Sequence, residues 1–265
     1  MQLLETCLAN SDTTEHNMGE TISLLQRLGI RDWVFSDFSS LKRFSRQMEK
    51  SSFPLGRAHV HVISYPNIDL IKMIWSIISL YDSFTIFLRC TKSLQEEEFK
   101  DALYYAFSLT DNVGCAIDLE SALNLPVIGQ KVQTLGQEFE LNRFLFLDTE
   151  GLLIPDEVSK GFRILRSKVP KHSKIFYFPN NQHGLGLVNA FYAMQLALDG
   201  LGGTALREED KCAAAVDFAE LYLLYRNKRD DMFSKRSIGI LDRAFRSFSG
   251  GEEAKSTLQP TSYLG

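Results

Sequence analysis

Asp148-Thr149-Glu150-Gly151-Leu152-Leu153-Ile154-Pro155-Asp156-Glu157-Val158 carries the signals of a tight turn leading into a helix. The apolar run at 144–147 before it reads as a strand. Gly151 permits a backbone angle that side chains resist, so the chain can turn sharply there. Pro155 suits the first turn of a helix, where its missing N–H costs nothing, and Asp156 and Glu157 complement the partial positive charge of a helix N-terminus. Apolar positions continue at helical spacing over 156–168. The segment is one strand–turn–helix unit.

Working outward, the same unit recurs. Strands are expected at 2–8, 33–38, 57–64, 84–90, 113–119, 144–147 and 175–178. Helices are expected at 19–28, 41–49, 68–81, 95–109, 125–139, 156–168 and 185–196, with a further one at 209–225. Short apolar runs alternating with amphipathic segments indicate βαβ units and a parallel sheet. An eighth strand falls near 195–206, where Gly200, Gly202 and Gly203 break the pattern, so it is short or irregular. Eight units close a barrel, whereas five or six leave an open sheet. No glycine-rich fingerprint follows the first strand (Leu8-Ala9-Asn10-Ser11), which argues against a dinucleotide fold. The expected fold is a (β/α)8 TIM barrel with an irregular eighth strand and a C-terminal helical extension.

The 265 residues suit one such barrel, and 45% hydrophobic with 23% charged residues is a globular composition. A net charge of −4 gives no reason to expect nucleic acid. Cys7, Cys90, Cys115 and Cys212 form no CxxC pair and read as scattered reduced thiols. No basic and apolar leader opens the sequence, and the most apolar stretch, 68–80, is interrupted by Asp69 and Lys72 and too short to span a bilayer. The expectation is a cytoplasmic protein with no membrane partner. Residues 1–227 are assigned to the barrel and 228–265 to a helical extension and mobile tail, the extension carrying Lys235, Arg236, Arg243 and Arg246 among apolar residues.

A second segment, Phe178-Pro179-Asn180-Asn181-Gln182-His183-Gly184-Leu185-Gly186-Leu187-Val188-Asn189, follows one strand and helix after the first. Together the two resemble the hydroxymethylglutaryl-CoA lyase / isopropylmalate synthase (pyruvate carboxyltransferase-type) family. The first is similar to that family's DTxGxxxPxEV segment, the second to its HxHNxxGLxxxN segment, with Asn181, Gly184, Leu185 and Asn189 in register. The resemblance covers 142–189 and is thin elsewhere.

That resemblance implies a barrel whose divalent cation is held by an aspartate after strand one, two histidines on strand seven and an asparagine-bearing loop after strand eight. Here the His-x-His positions are Phe178 and Asn180, and the strand-one arginine–aspartate pair falls on Ala9 and Asn10. A phenyl ring and neutral amides are poor ligands for a divalent cation. On this reading the family metal site is degenerate, no metal or other cofactor is favoured, and none is expected near Asn10, Phe178 and Asn180.

Asp118, Asp148 and Asn180 end strands five, six and seven, at the rim where barrel active sites assemble, and are the candidate catalytic residues. Asp148 could equally cap the following helix. Arg89, Asn181, His59, His61 and Glu120 are candidate substrate-binding residues. Arg89 could clasp a substrate carboxylate or pair with Asp118. His59 and His61 share one face of strand three. If Val60 and Val62 face the helices, both imidazoles point into the barrel, as a relocated metal pair or as hydrogen-bonded filling. Tyr177 is expected to face the helices and His183 to lie in a solvent-exposed loop.

Two functions follow. One is an aldolase/lyase- or acyltransferase-like barrel acting on a 2-oxo acid or acyl thioester through a modified, metal-free site. The other is an inactive family member, a pseudoenzyme serving as a binding or partner subunit, homo- or hetero-oligomeric with a paralogue. A metal-free enzyme of unrelated chemistry is a third, since fold alone does not fix function.

Overall fold

In the computed structural model the strands are Gln2–Glu5 (β1), Asp32–Phe35 (β2), His59–Ser64 (β3), Ser83–Cys90 (β4), Val113–Asp118 (β5), Arg143–Leu147 (β6), Lys174–Phe178 (β7) and Gly200–Gly203 (β8). Between them run helices Glu15–Arg27 (α1), Phe38–Lys50 (α2), Ile68–Ile78 (α3), Glu96–Leu109 (α4), Leu125–Glu138 (α5), Pro155–Lys168 (α6) and Gly186–Ala193 (α7), the last continued by a 3-10 turn at Met194–Leu196. The structure describes residues 2–5, 15–28, 30–50, 58–90, 96–119, 125–196, 198–204, 215–218, 220 and 221. The strands pair in parallel, in sequence order, and β8 returns to β1, closing a barrel. The expected parallel α/β architecture is present. The expected extension and tail at 228–265, and most of the helix expected at 209–225, lie outside the described residues.

Two apolar layers hold the barrel. The lumen is filled by Leu4, Val34, Ile63, Phe87, Ala116, Leu145, Leu147 and Phe176. The intervening positions, among them Trp33, Phe35, Val60, Val62, Phe146 and Tyr177, face the helices and join the larger cluster there. This is the two-residue period of a strand buried on both sides.

Strand β8 explains its own sequence. A Cβ on Gly200 would stand 2.5 Å from Leu4 Cδ1 and 2.6 Å from Phe176 Cδ1, and one on Gly202 would overlap the Phe178 ring. Large side chains on β1 and β7 occupy the space on the lumen side of β8, so that face of the strand is bare backbone, while Leu201 packs outward into the larger core. It pairs with β1 along its four residues and with β7 at two positions.

Some boundaries differ from the sequence reading. Phe38 opens α2 and does not end β2, because Asp37 caps that helix, taking the Ser40 N–H at 2.8 Å and the Ser40 hydroxyl at 2.7 Å. Helix α3 ends at Ile78 in place of Tyr81, and α7 tightens into a 3-10 turn after Ala193. After Asp148 the chain turns through Gly151 at φ +66°, whose N–H donates to Asp148 Oδ1 at 2.9 Å, and Glu157 takes the Ile154 N–H at 3.1 Å. Among the described residues, no helix is long and apolar enough to cross a membrane.

Candidate metal centre and the two barrel mouths

Asp32 and His59 are the first residues of β2 and β3, and they are paired in register. Val60 and Val62 face the helices, so His59 and His61 turn into the lumen. There the two imidazoles stack, centroids 4.3 Å apart and planes 21° apart. His61 packs between Phe87 and Phe176, with centroid distances of 5.8 and 5.7 Å. Its Nε2 lies 3.1 Å from Asp32 Oδ1, both groups being buried. His59 is tied to β4, Nδ1 to Ser83 Oγ at 2.7 Å and Nε2 to Thr85 Oγ1 at 3.2 Å. One ligand atom each from Asp32, His59 and His61 lie within 4.8 Å of one another.

The electrostatics suit ligation. Burial, and then the neighbouring His61, push the His59 imidazole down to about 4, partly offset by Asp32, so at neutral pH the ring is uncharged. Neutral imidazole is the form that binds metals. The buried His61 Nδ1 has no hydrogen-bond partner among the described residues, an unusual state for a buried ring nitrogen. Two imidazoles and a carboxylate form the donor set of zinc and non-haem iron(II) sites. The His61–Asp32 separation of 3.1 Å is close to the roughly 3.3 Å between two donors of a tetrahedral zinc site. These residues fit a divalent transition metal.

The expectations of a metal-free chain, a degenerate metal site and no metal-ligating residues are therefore corrected. The chain does carry a His-x-His, on strand three where the family analogy pointed to strand seven, and Asp32 completes it. The sequence reading missed Asp32 because it opens an apolar strand and its neighbour across the sheet becomes visible only with the register. The trio also stands at the N-terminal ends of the strands, opposite the mouth where barrel enzymes usually place their chemistry.

At the C-terminal mouth, Arg89 and Asp118 form a forked pair: Nε reaches both carboxylate oxygens at 3.2 Å and an η nitrogen reaches Oδ1 at 3.0 Å. Arg89 also lies over the Tyr65 ring, 5.7 Å from its centroid. Asp148 follows Leu147, a lumen residue, so strand alternation turns its side chain toward the helices, where it holds the Gly151 turn. Its other oxygen, Oδ2, is buried without a partner among the described residues. Burial pushes this carboxyl up to about 6, against the backbone amides of Gly151 and Asn180 that favour the charged form. Asn180 is occupied by its own loop, Nδ2 donating to Thr149 O at 2.9 Å and Oδ1 accepting the Gln182 N–H at 2.7 Å. Residue 180 is also bridged antiparallel to Ala215. Asn181 Oδ1 accepts the Leu187 N–H at 3.4 Å.

Tyr177 faces the helices against Phe162, centroids 4.9 Å apart, and burial followed by the Asp148 charge pushes its hydroxyl up. His183 is exposed, in the loop before α7. Phe178 lies in the lumen beside Gly202. Glu120, Ala9 and Asn10 lie outside the described residues. The structure thus brings together Arg89 with Asp118, and His59 with His61 and Asp32, as two separate groups at opposite ends of the barrel.

No protein-family model matches this sequence, and no curated protein matches it significantly. Among solved structures the chain is similar to HMG-CoA lyase from Brucella melitensis, with a TM-score of 0.68 and 11% identity over 94% of this chain and 97% of that one. It is similar to the N-terminal domain of a putative aldolase from Bacteroides vulgatus, with a TM-score of 0.69 and 15% identity over 94% and 86%. It is also similar to the carboxyl transferase domain of Rhizobium etli pyruvate carboxylase, with a TM-score of 0.69 and 12% identity over 95% of this chain and 48% of that one. At such identities the likeness is one of fold: a TIM barrel of the kind seen in the lyase and carboxyl transferase structures.

Proposed function

We propose that this protein is a metal-dependent barrel enzyme of the lyase or carboxyltransferase kind, with a divalent transition metal, zinc by its donor set, held by Asp32, His59 and His61. The observation that carries the reading is that trio: one carboxylate and two stacked imidazoles whose ligand atoms lie within 4.8 Å. Ser83 holds His59 by Nδ1 at 2.7 Å and leaves Nε2, the more loosely bonded nitrogen at 3.2 Å, for the ion. Phe87 and Phe176 close the lumen side and exclude water. A bound zinc ion supplies Lewis acidity, polarising a carbonyl or carboxylate oxygen. The substrate class that matches both this chemistry and the likeness in fold is a small 2-oxo acid or an acyl thioester.

A second reading is favoured by the forked Arg89–Asp118 pair at the C-terminal mouth, whose part-exposed guanidinium matches a substrate carboxylate. There the reaction belongs to the C-terminal mouth, with the Arg89–Asp118 pair and Asn181 as its polar lining and the metal a clamp joining β2 to β3. On either reading residues 1–227 are assigned to the barrel.

Elemental analysis of the purified full chain, followed by zinc titration of the stripped protein, tests the first reading. One equivalent of zinc, lost in His59→Ala and His61→Ala with the thermal melt of each stripped variant confirming that it folds, supports it. A wild type that takes up no zinc, or folded variants that bind it as well as the wild type, would overturn it.

A further inference from the structure

Two cations at the N-terminal mouth have no part in holding the metal. Arg143 and Lys174 open β6 and β7 and are paired in register. Each stands two residues before a lumen-filling side chain, Leu145 and Phe176 respectively, so strand alternation turns both toward the barrel axis, at the end where Asp32 and His59 open their strands. Both charges act on His59 across that mouth. The guanidinium of Arg143 is fixed: one η nitrogen donates to Asp111 O at 3.3 Å and Asn142 Oδ1 at 3.1 Å, the other to Asn112 Oδ1 at 3.0 Å. Lys174 is exposed and makes no ion pair among the described residues.

Charge bookkeeping gives the mouth its sign. Asp32 cancels one of the two charges of a divalent ion, and Arg143 and Lys174 add two more. Asp111 at the rim draws on Arg143 and offsets part of this. Asp199, whose Oδ2 accepts the Ile175 N–H at 2.8 Å beside Lys174, offsets a further part, which Arg166, 3.9 Å from the same oxygen, partly restores. The walls toward the lumen are the apolar rings Phe87 and Phe176, which focus a field and do not screen it. His59 is only half-buried, so the mouth is open to solvent on its side, while the deeper His61 keeps an unpartnered nitrogen.

We propose that the N-terminal mouth binds a small oxyanion, a carboxylate or a phosphate, one oxygen ligating the ion and another pairing with Lys174. Arg143 acts from its fixed position by its charge. The inference rests on the metal reading above and deepens it by assigning the anionic end of the ligand to residues outside the metal trio. Lys174 is then a specificity-determining residue, because its side chain makes no hydrogen bond or ion pair among the described residues that its removal would break.

The full chain loaded with one equivalent of cobalt(II), a spectroscopic substitute for zinc, and freed of excess metal gives the test. Inorganic phosphate and, separately, acetate are titrated against the visible cobalt bands. Saturable band shifts, with the midpoint for the preferred anion raised about tenfold or more in Lys174→Ala, support the proposal, and the preferred anion separates a phosphate ligand from a carboxylate one. Cobalt uptake with no band shift by either anion, or equal midpoints in wild type and Lys174→Ala, overturns this inference and leaves the metal site standing. Failure to take up cobalt at all overturns both, and the metal titration alone shows which case holds.

Discussion

The two mouths of the barrel hold polar groups of opposite kinds. Among the described residues of the C-terminal mouth most polar side chains are spoken for: Arg89 by Asp118, Asn180 by Thr149 and Gln182, Asn181 by Leu187 and one oxygen of Asp148 by Gly151, with its other oxygen left over on the helix side. At the N-terminal mouth the buried imidazoles and carboxylate converge on one another, and a ring nitrogen is left over. A polar group satisfied within its own loop stabilises the loop, whereas converging lone pairs attract a cation, because taking such groups out of water without one is costly. A polar residue at a barrel mouth is thus free to bind a ligand only where the fold has not already occupied its atoms.

The largest expected effect is at the N-terminal mouth. His61→Ala removes a ligand and weakens zinc binding by a hundredfold or more, roughly 3 kcal/mol. Wild type at a hundred times its dissociation constant gains about 2.7 kcal/mol of stability from zinc, and the variant does not. Thermal melts with and without zinc measure both. An equal zinc shift in the two proteins would mean that His61 is not a ligand.

Next comes the C-terminal pair. Arg89→Ala leaves the Asp118 carboxylate, whose side chain is 12% exposed, without its forked partner. The expected cost is about 2 kcal/mol by chemical denaturation, discounted because solvent reaches Arg89. Zinc affinity is expected to stay unchanged, which is what makes the two mouths separable.

Asp148 sharpens the contrast through pH. Its carboxyl is raised to about 6 in the fold from an ordinary 3.8, so the fold favours the protonated form. The stability that this contributes is fully present below the ordinary value and is lost as pH rises toward 6. Relative to Asp148→Asn, the wild type should therefore lose about 1–3 kcal/mol between pH 3.5 and 7.5. A constant difference between the two proteins across that range would mean that Asp148 is not desolvated as described.

The smallest effect concerns a supporting hydroxyl. Ser83→Ala frees His59 Nδ1 and should weaken zinc binding about tenfold, as loss of a ligand-orienting hydrogen bond does. A zinc titration reads it directly, and a loss as large as that of His61→Ala would place Ser83 among the ligands.

Much of the fold was legible because apolar runs such as 84–90 and 113–119 can be little else in an alternating pattern. The eighth strand was legible only as a break, since Gly200 and Gly202 carry no side chains and their strand exists through what Leu4, Phe176 and Phe178 occupy. At the site, the parity of His59 and His61 could be read from Val60 and Val62. The closing ligand could not, because Asp32 meets His61 only across the sheet. Family analogy drew the reading to Phe178 and Asn180 on strand seven, where the ligands are missing, and so to a metal-free protein.

In the proposed centre two histidines and an aspartate of strands β2 and β3 hold the metal. X-ray absorption at the zinc edge of the zinc-loaded full chain tests it most directly. The predicted first shell is nitrogen and oxygen at about 2.0–2.1 Å, with the outer-ring scattering of two imidazoles. In His61→Ala the imidazole signal should drop to one. A shell of sulfur at about 2.3 Å, pointing to the buried thiols of Cys90 and Cys115, or a zinc shell unchanged in His61→Ala, would contradict it.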